Sequence, residues 1–374
     1  MAVTGDPESR HGIILAKNQP AKKYDIKTAE TIWQAKRKCP ELVCVPTHFD
    51  IYNEISKKIN SIYLEYTDLV EPASIDESYL DVSSSIHIFG YTPVQLADTL
   101  RRRIREEIGI TISVGVSFCK PIAKFGSDYK NPDATTLITP ENLEEIYWPH
   151  DVSQMLMAGQ KTVKKLNDIG IHTIGELACA DKDRLNRLFG KAGTALYNCA
   201  NGFDTEKVRS YYEPREAKSV GNSMTFKRDL KGEDEIKAGL ALLSDLVAGR
   251  LRADNKKCTC IQVGIRDPEF RSVQRQKTLE SPTNLQKEIS EAAMRLLRGN
   301  WSMSQPVRLL AVTAGGLIDE KEDFQQINLF ENSSGERERQ NKIENTMDDI
   351  RKKFGASSIR FGYFNDEETG IKTD

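Results

Sequence analysis

Residues 74–81, Ser-Ile-Asp-Glu-Ser-Tyr-Leu-Asp, place two adjacent carboxylates, Asp76 and Glu77, in a run of apolar and small residues that otherwise reads as a buried strand. An unpaired carboxylate in apolar surroundings is costly, and two side by side repel. A divalent cation answers both problems, and hard oxygen ligands suit magnesium or manganese. On a regular strand adjacent side chains point to opposite faces. The pair can therefore share a cation only where the backbone turns or bulges, as at a hairpin tip. The same spacing also suits a strand end bearing two solvated acids.

Upstream of this run, Ile51, Ile55, Ile59, Ile62 and Tyr63 recur at three- and four-residue steps and predict a helix over 49–68. Downstream, Thr92-Pro93 reads as an N-cap followed by proline at the first helical position, and Leu96, Leu100, Ile104 and Ile108 mark one apolar face. Ile112, Val114 and Val116 alternate as in a half-buried strand over 111–117. Strand, helix, strand and helix around an acidic hairpin predict an α/β unit.

A helical unit over about 140–210 follows. It contains AGQKTVKKLNDIGIHTIGELA, a helix, an Ile169-Gly170-Ile171 hairpin and a second helix. Glycine admits close backbone approach, and free N–H groups at helix N-termini can hold a phosphate. Lys161, Lys164 and Lys165 add positive charge, although a plain helical turn has the same pattern. Residues 211–217 read as a linker. From 218 the order is strand, helix, strand, strand, helix, strand, with the second helix over 284–298 and the last strand over 307–313. A polar tail with one helix over 336–354 ends the chain.

Composition bounds these readings. At 374 residues the chain is too long for one average core. Its 29% charged and 39% hydrophobic residues are ordinary for a soluble globular protein. No apolar run approaches membrane-spanning length and no signal peptide is visible. Five histidines and seven cysteines are scattered without metal-ligand spacing, which argues against a zinc site. An odd cysteine count without a secretory signal points to reduced thiols and a cytoplasmic setting. The net charge of −2 hides an asymmetry: residues 215–322 carry 19 Lys/Arg against 15 Asp/Glu, whereas 323–374 carry 8 against 11.

The string SIDESYLDV resembles the palm motif of the Y-family (translesion) DNA polymerases. SVGVSFCKPIAKFGSDYKNPDATT resembles the second palm motif of that family, and GIILAKNQPAKKYDIKTAETIWQAKRKCPEL its fingers. The likeness runs in order along the whole chain and is greatest to the bacterial DNA polymerase IV type. It implies an α/β multidomain right-hand polymerase: fingers over 1–48, palm over 49–139, a helix-hairpin-helix thumb over 140–210 and a linker over 211–217. A βαββαβ little finger over 218–322 and a tail over 323–374 complete it.

The resemblance further implies template-directed, low-fidelity DNA synthesis past lesions, by two-metal nucleotidyl transfer with Mg2+. Primer-template DNA and deoxynucleoside triphosphates are the implied partners. Asp76 and Glu77 match the second and third metal-binding carboxylates of the family. The first belongs to an N-terminal strand of pattern D-x-x-x-F-F-A-S-V-E, which these 374 residues lack, so impaired catalysis is expected of them. Gln19 and Lys22 stand where the family has the Tyr and Arg of Y-E-A-R, and Lys130 lies beside the Lys position of K-P-N-G, occupied by Asn131. These three are the implied triphosphate contacts; Lys22 keeps the charge but not the bidentate fork of arginine.

Met157-Ala158-Gly159-Gln160-Lys161-Thr162 replaces G-V-G-x-K-T, with one glycine fewer. Gly159, Lys161, Thr162 and Gly170 are the implied thumb contacts to DNA, and Arg266, Arg271, Arg275 and Lys277 those of the little finger. Gln326-Ile327-Asn328-Leu329-Phe330 matches the Q-x-x-L-F peptide that binds the bacterial sliding clamp. The competing reading is a DNA- and clamp-binding protein that has lost catalysis, against which the retention of Asp76 and Glu77 counts.

Overall fold

The computed structural model describes residues 1–6, 12–213, 215–322 and 333–361. They form two units, Met1–Thr47 with Glu216–Asp374, and His48–Arg215.

Residues 1–47 build a three-stranded sheet in which β1 (Ala2–Thr4) pairs antiparallel with β2 (Ile14–Lys17) and parallel with β3 (Cys44–Pro46). Helix α1 (Gln19–Lys22) is capped by the Asn18 side chain, and α2 (Ile32–Lys38) by a Thr31–Gln34 capping box. Ile14, Ile26, Ile32 and Leu42 form the small core between them.

In the 48–215 unit, α3 (Phe49–Leu64) precedes a hairpin of β4 (Val70–Pro72) and β5 (Ser78–Leu80). Then come α4 (Ile86–Phe89) and α5 (Pro93–Ile108), whose Thr92–Gln95 capping box and C-terminal Gly109 at φ +84° match the boundaries expected from sequence. Leu96, Leu100 and Ile104 pack with Ile62 in one cluster. Ile51 does not join it: it is 50% exposed at the outer end of α3.

The strand expected over 111–117 is shorter. β6 (Val114–Val116) pairs in parallel with β7 (Thr135–Leu137), and α6 (Lys120–Tyr129) connects them. The helix lies so close that a Cβ on Gly115 would come 1.9 Å from the Ala123 carbonyl oxygen. Glycine is thus required there, and the hairpin and the β6–β7 pair are separate two-stranded ladders.

Five helices follow: α7 (Leu143–Ile146), α8 (Gln160–Asp168), α9 (Ile174–Ala178), α10 (Lys182–Phe189) and α11 (Lys191–Ala200). Their shared core includes Tyr147, Leu166, Ile174, Leu177, Leu185 and Leu196.

Residues 219–319 have the βαββαβ order read from the sequence: β8 (Ser219–Leu230), α12 (Gly232–Ala253), β9 (Lys256–Arg266), β10 (Ser272–Thr283), α13 (Gln286–Arg298) and β11 (Val307–Asp319). The sheet runs β10-β9-β11-β8, antiparallel throughout. β11 extends six residues beyond its predicted end. Leu240, Leu243 and Val247 of α12, with Ile289, Ala293 and Leu297 of α13, bury the sheet residues Ile261, Val263, Leu310 and Val312.

Helix α14 (Ser333–Phe354) belongs to the same packing. Arg252 of α12 pairs with Glu344 and, at 2.7 Å, with Asp348. Arg351 pairs with Asp245 at 2.8 Å and Arg337 with Glu288 at 2.7 Å. Burial alone would disfavour these charges, but each carboxylate has a guanidinium partner.

Candidate active site and nucleic-acid interface

The last paired residues of the palm hairpin are Pro72 and Ser78, so residues 73–77 form its tip. The N–H groups of Ala73 and Ser74 donate to the Glu77 carbonyl at 2.9 and 3.2 Å, which closes the turn. The Ser74 hydroxyl donates to Asp76 Oδ1 at 2.6 Å. Ser78 Oγ donates to Asn60 Oδ1 at 2.8 Å and ties the hairpin to α3. Asp76 and Glu77 thus sit on a turn, as a shared cation requires.

One expectation is corrected: both acids are exposed, not buried. The turn carries them clear of the strand, so their charges keep water and incur little desolvation cost. Glu77 has a cationic neighbour, Lys124 of α6, whose Nζ lies 2.9 Å from Glu77 Oε1 and 2.9 Å from Asp128 Oδ2. Burial works against the Lys124 ammonium, but Asp128 and Glu77 outweigh it and raise its pKa above the ordinary lysine value. Among the described residues no group of three His, Cys, Asp or Glu side chains gathers as a metal cage. The chemistry of the donors at 76 and 77, two carboxylates in reach of solvent, fits a hard divalent cation as a partial ligand set.

A second charged cluster lies one helical turn back along α6. Lys120 Nζ is 2.7 Å from Glu71 Oε2, and both side chains are buried. Glu71 also accepts from the Arg209 backbone N–H at 3.0 Å and from Arg215 Nη2 at 2.8 Å. Sequence reading missed Glu71, Lys120 and Lys124. Two signals pointed to them: an acid between Val70 and Pro72 in a strand, and lysines four apart in a helix with Pro121 in its first turn.

Gln19 and Lys22 lie three apart on α1, both exposed. Lys130 follows α6, exposed, with its Nζ 5.8 Å from the Tyr129 ring centroid. In the thumb, Gly159 is the N-cap of α8, with no side-chain cap and open space where a Cβ would project. Its first turn therefore lacks a capping side chain, the arrangement in which backbone N–H groups can hold a phosphate. Lys161 is exposed and Thr162 half-buried on that turn. Gly170, at φ +83°, makes the tight bend before α9, and again nothing lies within 4 Å of its missing Cβ.

The four little-finger cations occupy different settings. Lys277 and Arg275 lie opposite Ile261 and Val263, whose side chains are buried under the helices. Directly opposed residues share a face, so these two cations belong to the rim of the helix-bearing face; Arg275 Nε donates to Asn300 Oδ1 at 2.9 Å. Arg266 lies on the other face, with Nε 2.9 Å from Ser272 Oγ. Arg271 is held by Asp267 at 2.7 Å and Glu269 at 3.3 Å. The same face also carries Ser223, Gln262, Gly264, Gln274, Leu309, Ala311 and Thr313. Gln326, Leu329 and Phe330 lie outside the described residues.

Comparison with known proteins gives the family and the fold. Residues 1–128 match the impB/mucB/samB family, 217–329 the C-terminal domain of that family, and 158–204 a DNA polymerase-iota thumb domain. DNA polymerase IV of Acetivibrio thermocellus is 41% identical over 362 residues, spanning 97% of this chain and 90% of that one. DNA polymerase IV 1 of Bacillus subtilis is 35% identical over 367 residues, spanning 97% and 86%. A solved Y-family DNA polymerase chimera superimposes with a TM-score of 0.73, at 22% identity, over 85% of this chain and 92% of that one; it shares the fold. The chain belongs to the Y-family DNA polymerases. By family it is a DNA-directed DNA polymerase, with the fold class of right-hand polymerases plus a little finger.

Proposed function

We propose that this chain extends primers across damaged template positions by nucleotidyl transfer at Asp76 and Glu77. The observation that carries the reading is the hairpin tip, which presents two adjacent carboxylates to solvent in a chain of this family. Magnesium held there would lower the pKa of the primer 3′-hydroxyl and offset charge on the triphosphate. Lys124 orients Glu77 and limits the repulsion between the two acids. Gln19, Lys22 and Lys130 contact the triphosphate. Gly159, Lys161, Thr162 and Gly170 hold DNA phosphates; Arg266, Arg271, Arg275 and Lys277 track the backbone, which positions DNA without reading its sequence. Gln326, Leu329 and Phe330 dock on a sliding clamp, and the protein works in the cytoplasm.

Two carboxylates supply few of the six oxygens that magnesium prefers, so the ion's other ligands would come from the triphosphate, water or further oxygens. The competing reading is a DNA- and clamp-binding protein without catalysis. Primer extension with magnesium decides between them: activity that disappears in Asp76→Asn supports the polymerase, and DNA binding without any extension supports the second reading.

A further inference from the structure

The polymerase reading gives no role to Glu71, a buried carboxylate on the strand leading into the hairpin tip. Its partners come from two distant stretches of chain. One is Lys120 of α6; the other is the irregular stretch after α11, which gives the Arg209 backbone N–H and the Arg215 guanidinium. Glu206 of that stretch approaches both cations, at 3.4 Å from Lys120 and 3.7 Å from Arg215. Nearby, the Tyr211 N–H donates to the Asp68 carbonyl at 3.2 Å. Tyr79, paired with Glu71 across the hairpin, places its ring centroid 5.6 Å from Lys120 Nζ.

Residues 203–210 and 215–218 have no helix or strand hydrogen bonds of their own. A segment without secondary structure is fixed only by contacts elsewhere. Here the contacts of Arg209, Tyr211 and Arg215 converge on residues 68–71 of the palm. A carboxylate needed only to neutralise Lys120 would not also collect a backbone amide and a surface guanidinium from the connector.

We propose that Glu71 anchors the connector between thumb and little finger, fastening residues 206–215 to the palm, and so acts as a positioning residue for DNA held by the little finger. The anchor fixes where the chain leaves the palm and thumb, and hence the point from which the next domain reaches DNA. Its consequence for DNA rests on the polymerase reading; the anchoring itself does not.

The test uses the full 374-residue chain with Glu71→Gln, Arg215→Ala and Arg215→Lys. Arg215 is a surface side chain, so its variants keep the protein falsifiable should Glu71→Gln fail to fold. Amide hydrogen exchange at Arg209 and tryptic cleavage after Lys207 and Arg209 report the connector without DNA. Both should rise about tenfold in Arg215→Ala, as expected for loss of a charged hydrogen bond worth about 1.4 kcal/mol. The melting temperature should not change, and Arg215→Lys should restore most of the protection. Residence time on primer-template DNA should fall in the same variant. Unchanged exchange and cleavage would overturn the anchor. A loosened connector with unchanged DNA residence would overturn the positioning role, leaving DNA binding intact.

Discussion

Lys120 and Lys124 lie one turn apart on α6 and hold two ends of one hairpin: Lys120 Nζ is 2.7 Å from Glu71, and Lys124 Nζ is 2.9 Å from Glu77. The first contact is buried and fixes the strand. The second is at the exposed tip, where a cation can compete for the carboxylate. One helix therefore sets both the base and the tip of the acidic turn.

Replacing Glu77 with Gln should abolish magnesium-dependent primer extension and release Lys124 to Asp128 alone. Lys124→Ala should be milder, about 10- to 100-fold in metal affinity or rate, as for other residues that orient a ligand. Steady-state extension with a magnesium titration measures both. Lys124→Ala with wild-type metal dependence would remove its orienting role.

Joining a strand of pattern D-x-x-x-F-F-A-S-V-E before Met1 should strengthen extension strongly, because it adds a third carboxylate to the pair. Comparison of the two chains at equal magnesium checks this. Equal rates would show that Asp76 and Glu77 suffice.

DNA affinity should fall steeply with added salt, since phosphate neutralisation releases counterions. Arg275→Glu should weaken binding equally for all sequences, whereas Arg271→Glu also places a third acid beside Asp267 and Glu269. Fluorescence titrations at several salt concentrations on unrelated duplexes provide the measurement, and a sequence-dependent loss would indicate base readout instead.

Glu71 gives a pH signature. Burial pushes its pKa up, but Lys120, the Arg209 amide and Arg215 outweigh it and hold the group below its usual value of 4.5. A depressed carboxylate stabilises the fold above its unfolded pKa, and that contribution is lost as pH falls through the folded value. Connector protection should therefore be constant above about pH 5 and fail in acid below the ordinary carboxylate range. Lys120 and Arg215 are the cations that face Glu71, and Glu206 is the other acid of the cluster. Exchange at Arg209 measured against pH follows it; in Glu71→Gln the acid step should be missing.

Leu329→Ala with Phe330→Ala should cost about 2–4 kcal/mol of sliding-clamp affinity, as for paired apolar anchors. DNA affinity without clamp should stay the same. Calorimetric titration of clamp against wild type and double variant measures it, and equal affinities would refute the assignment.

Local signals were the legible ones. The Thr92-Pro93 start of α5, the βαββαβ order and the turn at Asp76–Glu77 follow from capping, periodicity and the incompatibility of adjacent acids with one strand face. The exposure of the two acids did not follow, because strand pattern alone does not say where a ladder stops. Nor did the face of Arg275 and Lys277: side-chain parity becomes meaningful only once their partners, Val263 and Ile261, are known to lie under helices. The Glu71 cluster joins residues more than 130 positions apart, from 71 to 209 and 215, beyond the reach of any local pattern.

Beside Arg266, the sheet face of the little finger turned away from its helices carries Ser223, Gln262, Gly264, Gln274, Ala311 and Thr313. Discrimination between base pairs depends on matched donors and acceptors reaching groove edges. Glycine, alanine, serine and threonine project little beyond the sheet, so among these residues the reach for such contacts falls to Gln262, Gln274 and Arg266. A little finger that laid this face on DNA would have few side chains with which to prefer one template over another.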